Sequence, residues 1–144
     1  FKIFCQFNNT HYSREEAKQF SIKSNLCDFF DPVLVRASNN QDRYKSLKLM
    51  ESYSFTLCPR GYGIDTHRIF EAIALKSIPI VKSSIIDNIH YMLPIIVVKK
   101  WEDLNETLLR NELERLNSKY EGVMDCITMD YWWDYIIKPN IFGK

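Results

Sequence analysis

Residues 78–81 read Ile-Pro-Ile-Val and residues 95–98 read Ile-Ile-Val-Val. A strand with one face in water alternates apolar and polar side chains, and neither run does so. Strands apolar at every position belong in a sheet covered on both faces, and such sheets are parallel, with helices as crossovers. This feature confines the chain to an α/β architecture.

The remaining segments fit that frame. Residues 2–7 (KIFCQF), 32–37 (PVLVRA) and 53–58 (YSFTLC) read as three further strands. Residues 13–20 open with a capping Ser and early acids, and residues 42–52 and 65–76 carry helical spacing. Residues 101–120 predict an amphipathic helix with Leu104, Leu108, Leu109, Leu113 and Leu116 on its apolar side, stopped by Gly122. A last, aromatic helix is predicted over residues 128–138, ended by Pro139. Strands alternating with helices predict a Rossmann-like, doubly wound parallel sheet of about five strands, with helices on both faces. The 144 residues show no internal repeat or linker, so they are read as one domain, 1–144.

Charge and cysteine usage exclude several classes. The net charge of +1 gives no general attraction to nucleic acid or anionic membrane, so no nucleic-acid partner is expected and any anion site must be local. No apolar run reaches the roughly 18 residues of a membrane span. Cys5, Cys27, Cys58 and Cys126 show no CxxC, and His11, His67 and His90 show no ligand spacing. Free thiols and no metal are therefore expected. The chain opens on Phe1 without an initiator Met or signal-peptide architecture, which reads as the edge of a longer protein.

The chemistry concentrates in residues 55–81, FTLCPRGYGIDTHRIFEAIALKSIPIV. A strand enters a glycine-containing loop, then a helix, then another strand, and in open α/β sheets ligands bind beside such loops. Gly61 and Gly63 are expected to adopt positive φ and to let the backbone approach a ligand. Asp65 or Thr66 is expected to cap the helix, whose first N–H groups would then seat a phosphate. Arg60, His67 and Arg68 cluster there, and a guanidinium offers planar, multi-donor contacts to diphosphate oxygens. Glu71 stands among Ile69, Phe70, Ala72, Ile73, Ala74 and Leu75, a helix read as buried nearly all round. A carboxylate there needs a partner. Two ribose hydroxyls would serve, and so would Arg68 at i−3 or His67 at i−4.

The same string resembles the signature of exostosin-like glycosyltransferases. Those proteins carry a Cys-Pro-x-Gly turn, a Ser/Thr-x-Arg-x-x-Glu-Ala helix and a small-residue-Ile-Pro-Val/Ile strand. Here these are Cys58 to Gly61, Thr66 to Ala72 and Ser77 to Val81. The opening FCQFNNTHYSRE, with Asn9, Thr10 and Arg14, and the later IIVVKKWEDL extend the similarity to about residues 2–109.

The resemblance implies a GT-B fold of two Rossmann-like domains, of which this chain would be the carboxyl-terminal, donor-binding half, partnered by an amino-terminal domain of the same protein. It implies transfer of a sugar from a nucleotide-sugar, a UDP-sugar by family default and a GDP-sugar as the alternative, to a glycan or glycoprotein acceptor. Glu71 would hold the ribose. Arg68, Thr66 and the helix start, with Arg60, Gly61, Gly63, His67 and Arg14 around them, would hold the diphosphate. Fixed positive groups can stabilise that leaving group without a metal. The family's inverting chemistry needs a general base, which it places on the other domain, leaving this half inactive by itself. The nucleotide-sugar is a substrate, so no cofactor is implied. A non-catalytic module binding nucleotide-sugar or glycan is the alternative. Relatives work in the Golgi lumen; a cytoplasmic viral or protist protein is the other setting.

Two features stand apart. Many relatives carry Gly where Lys76 or Ser77 stands, and the difference is tolerable if that turn avoids positive φ. Tyr131, Trp132, Trp133 and Tyr135 share one short segment, read either as core packing or as an interface patch that would make the isolated chain self-associate.

Overall fold

The structure is a computed structural model, and it describes residues 1–32, 40–117, 127, 128 and 130. Five strands and five helices alternate along the described chain. They run β1 (Ile3–Cys5), α1 (Tyr12–Lys23), β2 (Cys27–Phe29), α2 (Asn40–Glu51), β3 (Phe55–Leu57), α3 (His67–Ala74), β4 (Ile78–Lys82), α4 (Asp87–His90), β5 (Ile96–Val98) and α5 (Glu106–Asn117). All pairings are parallel, in the order β2-β1-β3-β4-β5. The fold is the expected Rossmann-like α/β sheet.

Side-chain alternation divides the core between two faces. Ile3, Cys5, Phe55, Leu57, Ile78, Ile80, Ile96 and Val98 pack with Ala17 of α1, Trp101, and Leu109 and Leu116 of α5. On the other face Phe4 meets Met50 of α2 and Ala72 of α3, while Val81 and Cys58 meet Ile69 and Ile73 of α3. Burial on both faces is what leaves β4 apolar from Ile78 to Val81. Polar pairs also sit inside: Thr56 Oγ1 and Ser77 Oγ, 2.7 Å apart, satisfy each other, and the Ser46 hydroxyl donates to Gln6 Oε1.

Several elements differ from the sequence reading. The second strand is Cys27–Phe29, a three-residue edge strand whose Asp28 accepts from the Tyr53 hydroxyl at 2.9 Å and faces Lys2 Nζ at 3.6 Å. The strand expected over residues 32–37 falls, from position 33 on, outside the described residues. The helix expected from Trp101 is split. Residues Trp101–Asp103 make one 3₁₀ turn, and α5 starts only at Glu106, where the Asn105 side chain accepts from Leu108 N–H at 2.9 Å. The short α4 was not expected. Gly122, Cys126 and the aromatic set Tyr131, Trp132, Trp133 and Tyr135 lie outside the described residues. Cys5, Cys27 and Cys58 are buried free thiols. No helix among the described residues is long and apolar enough to cross a membrane.

The strand order fixes where a ligand can sit. The chain leaves β1 toward β2 and returns to β3 on the other side of β1, so the crossovers diverge at β1 and β3. The crevice at the carboxyl ends of these two strands is the topological switch point.

Candidate functional site

The loop after β1 and the loop after β3 meet at that crevice. Ser13 Oγ in α1 donates to the Arg60 carbonyl at 3.1 Å and lies 2.6 Å from His11 Nδ1. Arg14, one residue on, lays its guanidinium against Gly61. A Cβ at Gly61 would sit 2.9 Å from Arg14 Nη2 and 3.3 Å from Cζ. Gly61 is therefore glycine because a side chain approaches its backbone. Neither Gly61 nor Gly63 adopts the left-handed φ expected from the sequence. Gly63 is exposed, with space for a Cβ limited by the Asp65 carbonyl at 3.2 Å.

Arg14 Nη1 donates to the Asn8 carbonyl and to Thr10 Oγ1, both at 3.2 Å, which anchors one end of the guanidinium. Its Nε is buried without a hydrogen-bond partner, as are Arg60 Nε and Thr66 Oγ1. Burial, followed by the positive charge of Arg68, holds the Arg14 guanidinium below its ordinary pKa. Arg14 thus feels the field of a second cation, which a bound anion would offset. Buried donors left unmade are costly, and here one lies on α1 and two lie in the loop after β3.

Thr66 occupies the N-cap position of α3, but its side chain makes no capping bond and neither does that of Asp65. Its Oγ1 is buried without a hydrogen-bond partner, and its carbonyl accepts from the Ile69 N–H at 3.0 Å in the first turn of α3. Arg68 sits in the first turn of α3. His67 is exposed at the first helical position, and no described contact ties it to the cluster.

Glu71, one turn further, has 16% of its side chain exposed. Its Oε1 meets Arg43 Nη2 of α2 at 2.6 Å, and its Oε2 meets Arg68 Nη1 at 3.5 Å. The Arg68 pairing at i−3 is the one foreseen in the sequence; Arg43 was not. Nothing in the sequence connects Arg43 to a residue 28 positions away. The helix itself is less enclosed than expected: Ile69, Ala72 and Ile73 are buried, Ala74 is exposed, and Phe70 and Glu71 are half-buried.

Two nearby groups are structural. Burial pushes the Cys58 thiol of the Cys-Pro-x-Gly turn up to about 12, which disfavours the thiolate. His90 of α4 is buried, with neither ring nitrogen hydrogen-bonded; its Nδ1 lies 3.9 Å from Asp87 Oδ1. No cluster of three or more His, Cys, Asp or Glu that could hold a metal ion occurs among the described residues.

The family described as the RXYLT1 C-terminal domain matches residues 4–134. A protein of Arabidopsis thaliana named as a probable glycosyltransferase is 32% identical over 92 residues. That alignment takes in 64% of this chain and 17% of the plant protein, so the chain corresponds to a small part of that relative.

Proposed function

The chain belongs to the RXYLT1 C-terminal domain family, and on that premise we propose that it is the donor-binding half of an exostosin-like, GT-B type glycosyltransferase. The observation that carries this reading is the set of unpartnered buried donors, Arg14 Nε, Arg60 Nε and Thr66 Oγ1, gathered with Arg68 at the β1/β3 switch point. Positive charge, a helix start and free donors in one crevice match a diphosphate.

In this reading the diphosphate of a nucleotide-sugar lies between Arg14 and Arg68, over Gly61 and against the start of α3. Glu71 receives the ribose. Arg43 and Arg68 each occupy one carboxylate oxygen, and each oxygen keeps a lone pair for a ribose O–H. The two arginines orient the carboxylate. During transfer the sugar–oxygen bond to the diphosphate breaks and negative charge grows on the leaving oxygens. Preformed guanidinium groups stabilise that charge without having to reorganise. UDP-sugar is the proposed donor and a glycan or glycoprotein the acceptor, with the general base on the amino-terminal half of the enzyme.

Calorimetric titration of the folded chain with UDP and GDP tests the reading. Binding of one diphosphate, weakened about tenfold or more by Glu71→Ala (about 1.4 kcal/mol), is the expected result. Equal affinity of wild type and Glu71→Ala would remove the ribose role from Glu71.

A further inference from the structure

Beyond the cationic cradle the crevice continues into an aromatic rim. Tyr62 directly follows buried Gly61, yet it is 85% exposed, and Tyr12 at the start of α1 is 76% exposed. His11 joins them: its ring centroid is 4.2 Å from that of Tyr12 and 6.1 Å, edge-on, from that of Tyr62. Ser13 holds the two loops together through the Arg60 carbonyl and His11. The rim is therefore built from both loops of the switch point.

Contacts along the crevice give it a direction. Arg43 meets Glu71, Glu71 meets Arg68, and Arg68 shares a field with Arg14. Arg14 packs on Gly61, and Gly61 leads to Tyr62 and His11. A nucleotide-sugar is a linear ligand of ribose, two phosphates and sugar. With ribose at Glu71 and phosphates at Arg14 and Arg68, its sugar emerges at the aromatic end.

Resting on the donor-site reading above, we propose that Tyr62, backed by His11 and Tyr12, is a sugar-binding platform against which the apolar face of the donor's sugar ring packs. An exposed phenol ring suits that task. Its face covers C–H surface, while its hydroxyl stays in water or meets a sugar hydroxyl. Tyr62 would then help to set which sugar is carried, with no role in holding the nucleotide.

The test compares the bare diphosphate with its sugar conjugates, using the whole 144-residue chain. Wild type, Tyr62→Ala and Tyr62→Phe are titrated with UDP, UDP-glucose, UDP-xylose and UDP-N-acetylglucosamine, or with GDP and GDP-sugars if GDP is the diphosphate bound. Tyr62→Ala should weaken at least one sugar conjugate about threefold or more and leave the bare diphosphate unchanged, with Tyr62→Phe close to wild type. Equal effects on diphosphate and conjugates, or no effect on any conjugate, would overturn the platform while leaving the diphosphate seat standing. Failure of wild type to bind any of these ligands removes the donor-site reading, and the platform with it.

Discussion

Arg43 and Arg68 meet Glu71 from two elements, one at each carboxylate oxygen. The Arg43 contact alone is a partly exposed ion pair, of a kind that contributes little to stability. Its consequence is orientation of the carboxylate. Gly61 shows the same economy of side chains. Gly61→Ala places a methyl 2.9 Å from the tip of Arg14, a flexible group that can move aside. Stability should change by less than about 1 kcal/mol, while diphosphate affinity should fall several-fold because Arg14 leaves its seat. Paired urea denaturation and calorimetry check this, and an unfolded variant or an unchanged affinity would contradict it. At His90, burial lowers the pKa from 6.5, opposed in part by Asp65 and Asp87. The unfolded chain then takes up its proton first as pH falls. The stability due to the neutral ring is present above about 6.5 and lost as pH drops through and below that value. Between pH 7 and 5 the urea midpoint of wild type should fall more steeply than that of His90→Gln. Equal slopes would show that the buried imidazole is not the cause.

Helix α3 ends in a Schellman motif, with Ser77 N–H on the Ala72 carbonyl at 2.9 Å and Lys76 N–H on the Ile73 carbonyl at 3.0 Å. The motif puts Lys76 at φ 59°, the left-handed conformation that the sequence reading had required this turn to avoid. This chain holds a strained lysine in that conformation. Lys76→Gly should stabilise by about 1 kcal/mol, read as a higher urea midpoint at unchanged m value. No change would mean that the strain is relieved elsewhere. Legibility follows similar physics. β4 and β5 were visible because two-sided burial leaves apolar runs. β2 was not, because three residues at a sheet edge, with Asp28 in the middle, carry no pattern. The α5 boundary moved because Trp101 is buried in a 3₁₀ turn that continues the helical spacing of leucines. In the site, Arg68, Thr66 and Glu71 were readable from their places on one short helix. Arg43 and the Arg14–Gly61 contact were not derivable from spacing, because they depend on how separate elements pack. Glycine chemistry misled for a related reason: close approach and positive φ favour the same residue, and only coordinates separate them.

Across the whole molecule, the net charge of +1 means that no broad field draws in an anion. In the proposed reading, selectivity for a phosphate comes from the cluster at the β1/β3 switch point, at one end of the sheet. The other end carries a cavity of about 360 Å³ between the carboxyl ends of α2 and α3, lined by Glu51, Ser52, Tyr53, Ser54, Ala74, Leu75 and Lys76. Helix carboxyl ends and a glutamate make that cavity a poor place for a diphosphate. The two ends are far apart along the strands, so locating the ligand decides between them. The most direct measurement is a two-dimensional ¹H–¹⁵N spectrum of the chain titrated with UDP and with GDP. The account predicts that one of them shifts the amides of Gly61, Tyr62, His67, Arg68 and Ile69, and those following β1 around Asn9 and Arg14. Shifts concentrated at Ser52, Ser54 and Lys76, or a spectrum unmoved by either diphosphate, would contradict it.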